Sequence, residues 1–165
     1  MKIAGTVQDS IVDGPGLRFA VFAQGCPHGC AGCHNPETHD INGGEEKSVA
    51  GIIAEMKKNP LTDGLTLSGG EPFLQAADCA AIARAAKADG LNVWTYSGWT
   101  YEQLCDKARG DEAVAALLEL TDVLVDGRFE QSKRSLELRF RGSSNQRIID
   151  MNATRNTGVV TISER

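Results

Sequence analysis

Cys26, Cys30 and Cys33 lie in one glycine-rich loop with the spacing C-x3-C-x2-C. Few features constrain a 165-residue chain more, because its fold must hold three thiols together at one place. Five cysteines are an odd number, and three crowded into one loop make a poor disulfide framework and a good metal loop. The triplet is one ligand short. Structural zinc sites close with four ligands, and ordinary four-iron clusters are held by four cysteines. Three thiolates on such a cluster leave one iron able to bind a small molecule and pass it an electron. The alternative is a zinc-binding or redox-sensing module, with His28, His34 or His39 as fourth ligand. Cys79 and Cys105 fall on apolar helical faces and are expected in the core.

The rest of the chain places the loop. Residues 17–23 (LRFAVFA) predict a buried strand ending at the cysteines. Ser48 caps a helix with Val49, Ile52, Ile53 and Met56 on its apolar face. Residues 65–67 form a second strand, running into Ser68-Gly69-Gly70-Glu71-Pro72. The next helix has Cys79, Ile82, Ala83 and Ala86 on one face, and residues 91–96 (LNVWTY) form a third strand. Thr100 with Gln103 makes a capping box for a helix facing inward with Tyr101, Leu104, Cys105 and Ala108. Asp111 starts another, with Ala113, Ala116, Leu117 and Leu120 inward, and residues 122–126 (DVLVD) are a fourth strand. Strand–helix alternation predicts a parallel α/β sheet with right-handed crossovers. Residues 136–140 alternate apolar and polar and predict a strand with one wet face. The expected organisation is one domain over 1–165, with a cysteine loop at 24–35 and a strand/loop segment at 136–165.

A complete eight-fold barrel needs roughly 250 residues, so this chain can build only a partial, TIM-like one. Ligands in such folds bind at the carboxyl ends of the strands. The cysteine loop, the SGGEP loop, Ser97-Gly98 and Asp126-Gly127-Arg128 each follow a predicted strand, so all four are expected at one rim. In SGGEP, two glycines let the backbone approach a ligand, and the Glu71 carboxylate can receive an ammonium group. Arg128 either grips a carboxylate or makes a surface ion pair. Asp13-Gly14-Pro15-Gly16 reads as a turn, Arg18 as a solvated charge, and His28 and His39 as solvated loop residues. Trp94, Tyr96 and Trp99 read as core and rim packing, and residues 142–147 as a connecting loop.

A net charge of −5 and no basic stripe argue against a nucleic-acid partner. No apolar run approaches the roughly 20 residues of a membrane span, and residues 1–9 lack the layout of a signal peptide. A cytoplasmic protein with reduced thiols is expected.

Residues 5–35, GTVQDSIVDGPGLRFAVFAQGCPHGCAGCHN, resemble the glycyl-radical-enzyme activating proteins of the radical S-adenosylmethionine (SAM) superfamily. The stretch RGSSNQRIID at 141–150 is similar to the branch that activates anaerobic ribonucleoside-triphosphate reductase. The resemblance implies one 4Fe-4S cluster on Cys26, Cys30 and Cys33, with SAM chelating the open iron. It implies cleavage to methionine and a 5′-deoxyadenosyl radical, which takes a hydrogen from a glycine of the large reductase subunit. No general acid or base is needed. A flavodoxin-like protein is the plausible electron donor. By similarity, Gly69, Gly70 and Glu71 hold the SAM amino group, Gly32, Cys33 and His34 lie near its adenine, and Asp126 and Arg128 face its methionine or ribose end. Asp13 and Arg18 are expected to face the partner. An activase of another glycyl radical enzyme, such as formate acetyltransferase, is the alternative. Two positions depart from the family pattern: Gly32 stands where many members have an aromatic, and Arg128 where related activases often have a lysine.

Overall fold

The computed structural model describes residues 1–163; Glu164 and Arg165, the end of the segment expected at 136–165, lie outside the described residues. Strands β1 (Lys2–Ser10), β2 (Arg18–Ala23), β3 (Glu45–Glu46), β4 (Gly64–Gly69), β5 (Asn92–Tyr96), β6 (Val123–Asp126) and β7 (Arg147–Asp150) form one seven-stranded sheet. Its order is β3-β1-β2-β4-β5-β6-β7. The central four, β2, β4, β5 and β6, run parallel, as the alternation predicts. Helices α1 (Val49–Met56), α2 (Ala76–Ala88), α3 (Tyr101–Ala108) and α4 (Glu112–Leu120) lie in the crossovers, and α5 (Met151–Thr157) follows β7. The fold is mixed α/β. No helix among the described residues is long and apolar enough to cross a membrane.

The local signals act as read. Ser48 Oγ accepts the Gly51 N–H at 3.0 Å, Thr100 and Gln103 form the capping box, and Asp111 caps α4. On α4, Leu117 is buried and Ala113, Ala116 and Leu120 pack against the core partly buried, as expected, while Val114 and Leu118 are buried as well. The added valine and leucine widen the stripe, since they bury more apolar area than alanine does.

The antiparallel edges were not foreseen. β1 pairs with β2 through two register shifts, which blur the two-residue period in its sequence. Residues 136–140 are not a strand. Phe140 has a φ of 63°, in the left-handed region that ends an extended run. The edge strand is instead β7, antiparallel to β6.

The two sheet faces have different cover. Phe19, Val21, Leu65, Leu67, Val93 and Leu124 join the helices in the main core. Alternation sends Arg18, Thr66, Trp94 and Val125 to the other face. There a small cluster of Trp94, Val125 and Ile148 is met by Phe140 from the long loop after β6. With a loop for cover instead of helices, this face has room for a cavity.

Candidate functional site

The four parallel strands end at one rim, and their following loops are stitched together there. The Gly70 N–H donates to Ala23 O at 2.8 Å, and the Glu71 N–H to Gly25 O at 2.8 Å. The Ser97 N–H donates to Val125 O at 2.9 Å, and the Gly127 N–H to Trp99 O at 3.4 Å. The two glycines of SGGEP serve this stitching. A Cβ on Gly69, whose φ is +94°, would lie 2.6 Å from Ala23 N, and one on Gly70 would lie 2.4 Å from Gly25 O. Their close approach is to the start of the cysteine loop, not to open space where a ligand would sit.

Cys26, Cys30 and Cys33 are free, partly exposed thiols at this rim. The Asn35 N–H donates to Cys33 Sγ at 3.4 Å, and the His28 peptide N–H lies on the side of Cys26, where it favours the thiolate. Burial pushes the Cys26 thiol up; the His28 N–H opposes this, while Glu71, Cys30 and Cys33 add to it through their negative charge. Among the described residues, no three Cys, His, Asp or Glu side chains are already gathered as a metal-ligand set. Cys79 is fully buried on α2, where burial pushes its thiol up to about 12, so it is an inert core residue as expected. Cys105 is only half-buried, in a groove with Tyr101, Leu118 and Met151.

A cavity of about 350 Å³ opens beside the third cysteine. It is lined by Cys33, His34 and Asn35 of the cysteine loop, by Ser68 and Tyr96 near the strand ends, and by Phe129, Phe140, Arg141 and Gln146. The His34 ring meets Phe129 edge-on at 5.3 Å, and Tyr96 Oη donates to Phe140 O at 2.7 Å. The polar stretch after residue 141 is more than a connection. Gln146 Oε1 accepts the N–H groups of Gly142 and Ser143 at 2.8 and 3.2 Å, and its Nε2 donates to Gly127 O at 3.0 Å. Gly32, at φ +71°, leaves room for Gln131, whose Cδ would lie 3.0 Å from an added Cβ. That is the local reason no aromatic stands there.

Several expected site residues are placed otherwise. Asp13 lines the cavity and accepts from Ser10 Oγ at 2.5 Å. Arg18 is neither solvated nor partner-facing: its exposure is 0%. Its guanidinium donates to Thr66 Oγ1 at 2.7 Å, Leu65 O at 2.8 Å and Pro15 O at 3.0 Å, 5.7 Å from the centre of the Trp94 ring. A hydrogen-bond partner for each of its three nitrogens makes that burial tolerable. Asp126 is buried and turned away from the cavity. Its oxygens accept from Arg147 Nε at 3.0 Å, Arg147 Nη2 at 2.5 Å and the Tyr101 N–H at 2.7 Å. Arg128 is exposed and does not line the cavity. Arg147 is the residue the sequence reading missed; its side chain also reaches Glu102 Oε1 at 2.6 Å. Glu71, 0% exposed, is no open acceptor for an ammonium: it receives His28 Nε2 at 2.7 Å, Gly98 N–H at 2.8 Å, Ser97 Oγ at 2.9 Å and Phe73 N–H at 3.1 Å. The His28 side chain is correspondingly not solvated but 3% exposed. Its Nε2 is engaged by Glu71 and so is not free to serve as a fourth zinc ligand.

Soft thiols with peptide N–H groups near their sulfurs are a donor set suited to iron–sulfur chemistry. The repulsion among them, felt at Cys26, is what a metal's positive charge would reverse. The class follows from comparison with known proteins: the family described as a 4Fe-4S single cluster domain matches residues 12–149. The anaerobic ribonucleoside-triphosphate reductase-activating protein of Vibrio cholerae serotype O1 is 35% identical over 145 residues, covering 82% of this chain and 89% of the relative. Its namesake in Escherichia coli K12 is 34% identical over 146 residues, covering 82% and 90%. The pyruvate formate-lyase 1-activating enzyme of Escherichia coli K12 is 34% identical over 145 residues, covering 84% of this chain but 56% of the relative. The chain belongs to the 4Fe-4S single cluster domain family and, within it, to the family of anaerobic ribonucleoside-triphosphate reductase-activating proteins.

Proposed function

We propose that this chain is a radical SAM activase that generates a glycyl radical on an anaerobic ribonucleoside-triphosphate reductase. One observation carries the reading. Three free thiols share a loop at the carboxyl-end rim of a parallel sheet, beside a cavity, in a chain about a third identical to activating proteins over most of their length. When bound, a 4Fe-4S cluster with SAM on its open iron supplies the one-electron chemistry that ends in hydrogen abstraction from a glycine. The chain's own part is to hold, orient and exclude water. Cys26, Cys30 and Cys33 are the ligands, and the N–H groups of His28 and Asn35 support the sulfurs of Cys26 and Cys33.

Of the residues expected near SAM, Cys33 and His34 line the cavity, with Gly32 beside them. Gly69, Gly70 and Glu71 act one step removed, by fixing the cysteine loop. Aromatic walls at His34, Phe129 and Tyr96 suit an adenine, and Arg141 is the cation among the lining residues. Asp13 lines the cavity, and we assign it to the side that faces the reductase. We assign the whole chain to one domain with a partial-barrel sheet, and a flavodoxin-like protein as electron donor. An activase of another glycyl radical enzyme, such as formate acetyltransferase, is the alternative; the RGSSNQR stretch speaks against it, and a glycyl radical on one candidate partner and not the other decides it.

The test is electron paramagnetic resonance on anaerobically reconstituted, dithionite-reduced protein, with and without SAM. A reduced 4Fe-4S signal that shifts on adding SAM, followed by a glycyl radical on the reductase, is expected. A colourless protein holding zinc stoichiometrically overturns the reading.

A further inference from the structure

We propose that His28 is a positioning residue that locks the cysteine loop to the rim through Glu71. This rests on the reading above, in which Cys26 and Cys30 are cluster ligands. His28 lies midway between them, and its neighbours Pro27 and Gly29 are exposed, yet its own side chain is 3% exposed. The ring has a built seat. Nε2 sits 2.7 Å from Glu71 Oε1, the oxygen that also accepts from Ser97 Oγ and the Gly98 N–H. Trp99 meets the ring edge-on at 4.8 Å. A Cβ on Gly98 would lie 2.3 Å from His28 Cδ2, so the glycine makes space for the imidazole.

The seat also has a cost. A carboxylate only accepts, so Nε2 carries the hydrogen, and Nδ1 is left buried with no partner. A buried nitrogen without a partner is unfavourable; the ring stays because the Glu71 bond and the Trp99 contact outweigh it. What this secures is the backbone between two ligands, with the His28 N–H kept near Cys26, where it favours the thiolate. The ring is gripped by two strand-end loops, and its peptide lies between two ligand residues. Hydrogen bonds to ligand sulfurs, and the partners that orient ligands, set both retention and reduction potential of a cluster. Without the ring, the stretch between Cys26 and Cys30 loses its tie to Glu71, and the His28 N–H is no longer fixed near Cys26.

The experiment compares reconstituted wild type with His28→Ala, His28→Gln and His28→Phe. It reads iron per chain, the rate of iron loss to EDTA, the reduction potential by EPR-monitored titration, and the fold by circular dichroism. Expected are a loss of iron about tenfold faster in His28→Ala, a lower potential, and substantial recovery in His28→Gln, whose amide can donate to Glu71. His28→Phe keeps ring packing without the donor and is expected to fold and lose iron as His28→Ala does; it decides the matter if the alanine variant does not fold. Wild-type retention and potential in His28→Phe, or a glutamine variant no better than alanine, overturns the proposal. Wild-type protein that takes up no iron overturns the functional reading itself, an outcome that altered variants alone cannot produce.

Discussion

The parallel strands carry a cavity at each end, and the two are built on opposite terms. At the foot, where β5 and β6 begin, about 520 Å³ is lined by Lys87, Asn92, Asp122 and Asn152 among others. The polar groups there complete one another. Asp122 accepts from Lys87 Nζ at 2.6 Å, the Val93 N–H at 2.8 Å and Asn152 Nδ2 at 3.2 Å. At the rim the cavity is smaller, about 350 Å³, and the accounts stay open. Three thiols are free, His28 Nδ1 and Asn145 Oδ1 are buried without partners, and Gly25, Gly29, Gly32, Gly69 and Gly127 all hold positive φ. Size does not mark the functional end. Unspent ligand capacity and constrained backbone do.

If that contrast is right, the ends respond differently to substitution. The largest effect belongs to the cysteine triplet. Cys33→Ser should abolish stable cluster binding and reductase activation while leaving thermal unfolding nearly unchanged, because the side chain is half-exposed at a loop. Iron analysis and a melting curve on the same sample check both halves. A Cys33→Ser protein that kept its cluster would remove the triplet from the site.

Next is Arg147→Ala. Asp126 is 1% exposed and faces Arg147 across the β6–β7 pair. Removing the cation strands a buried carboxylate, at about 3 kcal/mol, the low end for such pairs because Arg147 is partly exposed. The Arg147 guanidinium is itself held more strongly protonated than usual, chiefly by its hydrogen bonds to Asp126, against the cost of burial. Urea unfolding measures the loss. A change under about 0.5 kcal/mol would class the pair with ordinary surface bridges.

These two predictions also divide what the sequence disclosed from what it hid. The triplet, the helix caps and the four strand-end loops are local patterns, and short-range chemistry writes them directly into adjacent residues. Asp126 with Arg147 and His28 with Glu71 are tertiary pairs, 21 and 43 residues apart, and no spacing rule joins them. Asp126 and Glu71 therefore read as rim residues open to a ligand, while the structure gives them protein partners. Arg18 was misjudged for a related reason. An arginine opening an apolar strand looks solvated until Thr66, Leu65 and Pro15 are seen to take its donors. Edge strands were lost where bulges blurred the period of β1, and Leu136 and Leu138 alternate in a stretch that Phe140 turns into a loop.

A smaller effect comes from a buried cysteine outside both ends. Cys79→Ser places a hydroxyl in the core beneath α2, where its thiol is fully buried. The expected loss is about 1–3 kcal/mol of stability in chemical denaturation, with iron content unchanged. Loss of iron alongside stability would mean the core and the rim are not separable.

The smallest effect tests the foot directly, and its sign is fixed by proton linkage. Burial alone would raise the Asp122 pKa, but hydrogen bonds from Lys87, the Val93 N–H and Asn152 outweigh it and hold the carboxyl below its ordinary 3.8. On acidification the unfolded chain therefore takes up this proton first. The network's contribution is complete above that ordinary value and is lost as pH falls through the lower, folded-state value. Asp122→Asn removes the charge and should cost about 1 kcal/mol near neutral pH, since Lys87 is partly exposed and solvent screens the pair. The gap between wild type and variant should close as the acid range is entered, which urea unfolding at a series of pH values resolves. Cluster content and SAM binding should not move, because every group that Asp122 holds lies at the amino ends of the strands. A foot substitution that emptied the rim of iron would mean that the two ends are coupled through the sheet, and the opposition between them would have to be given up.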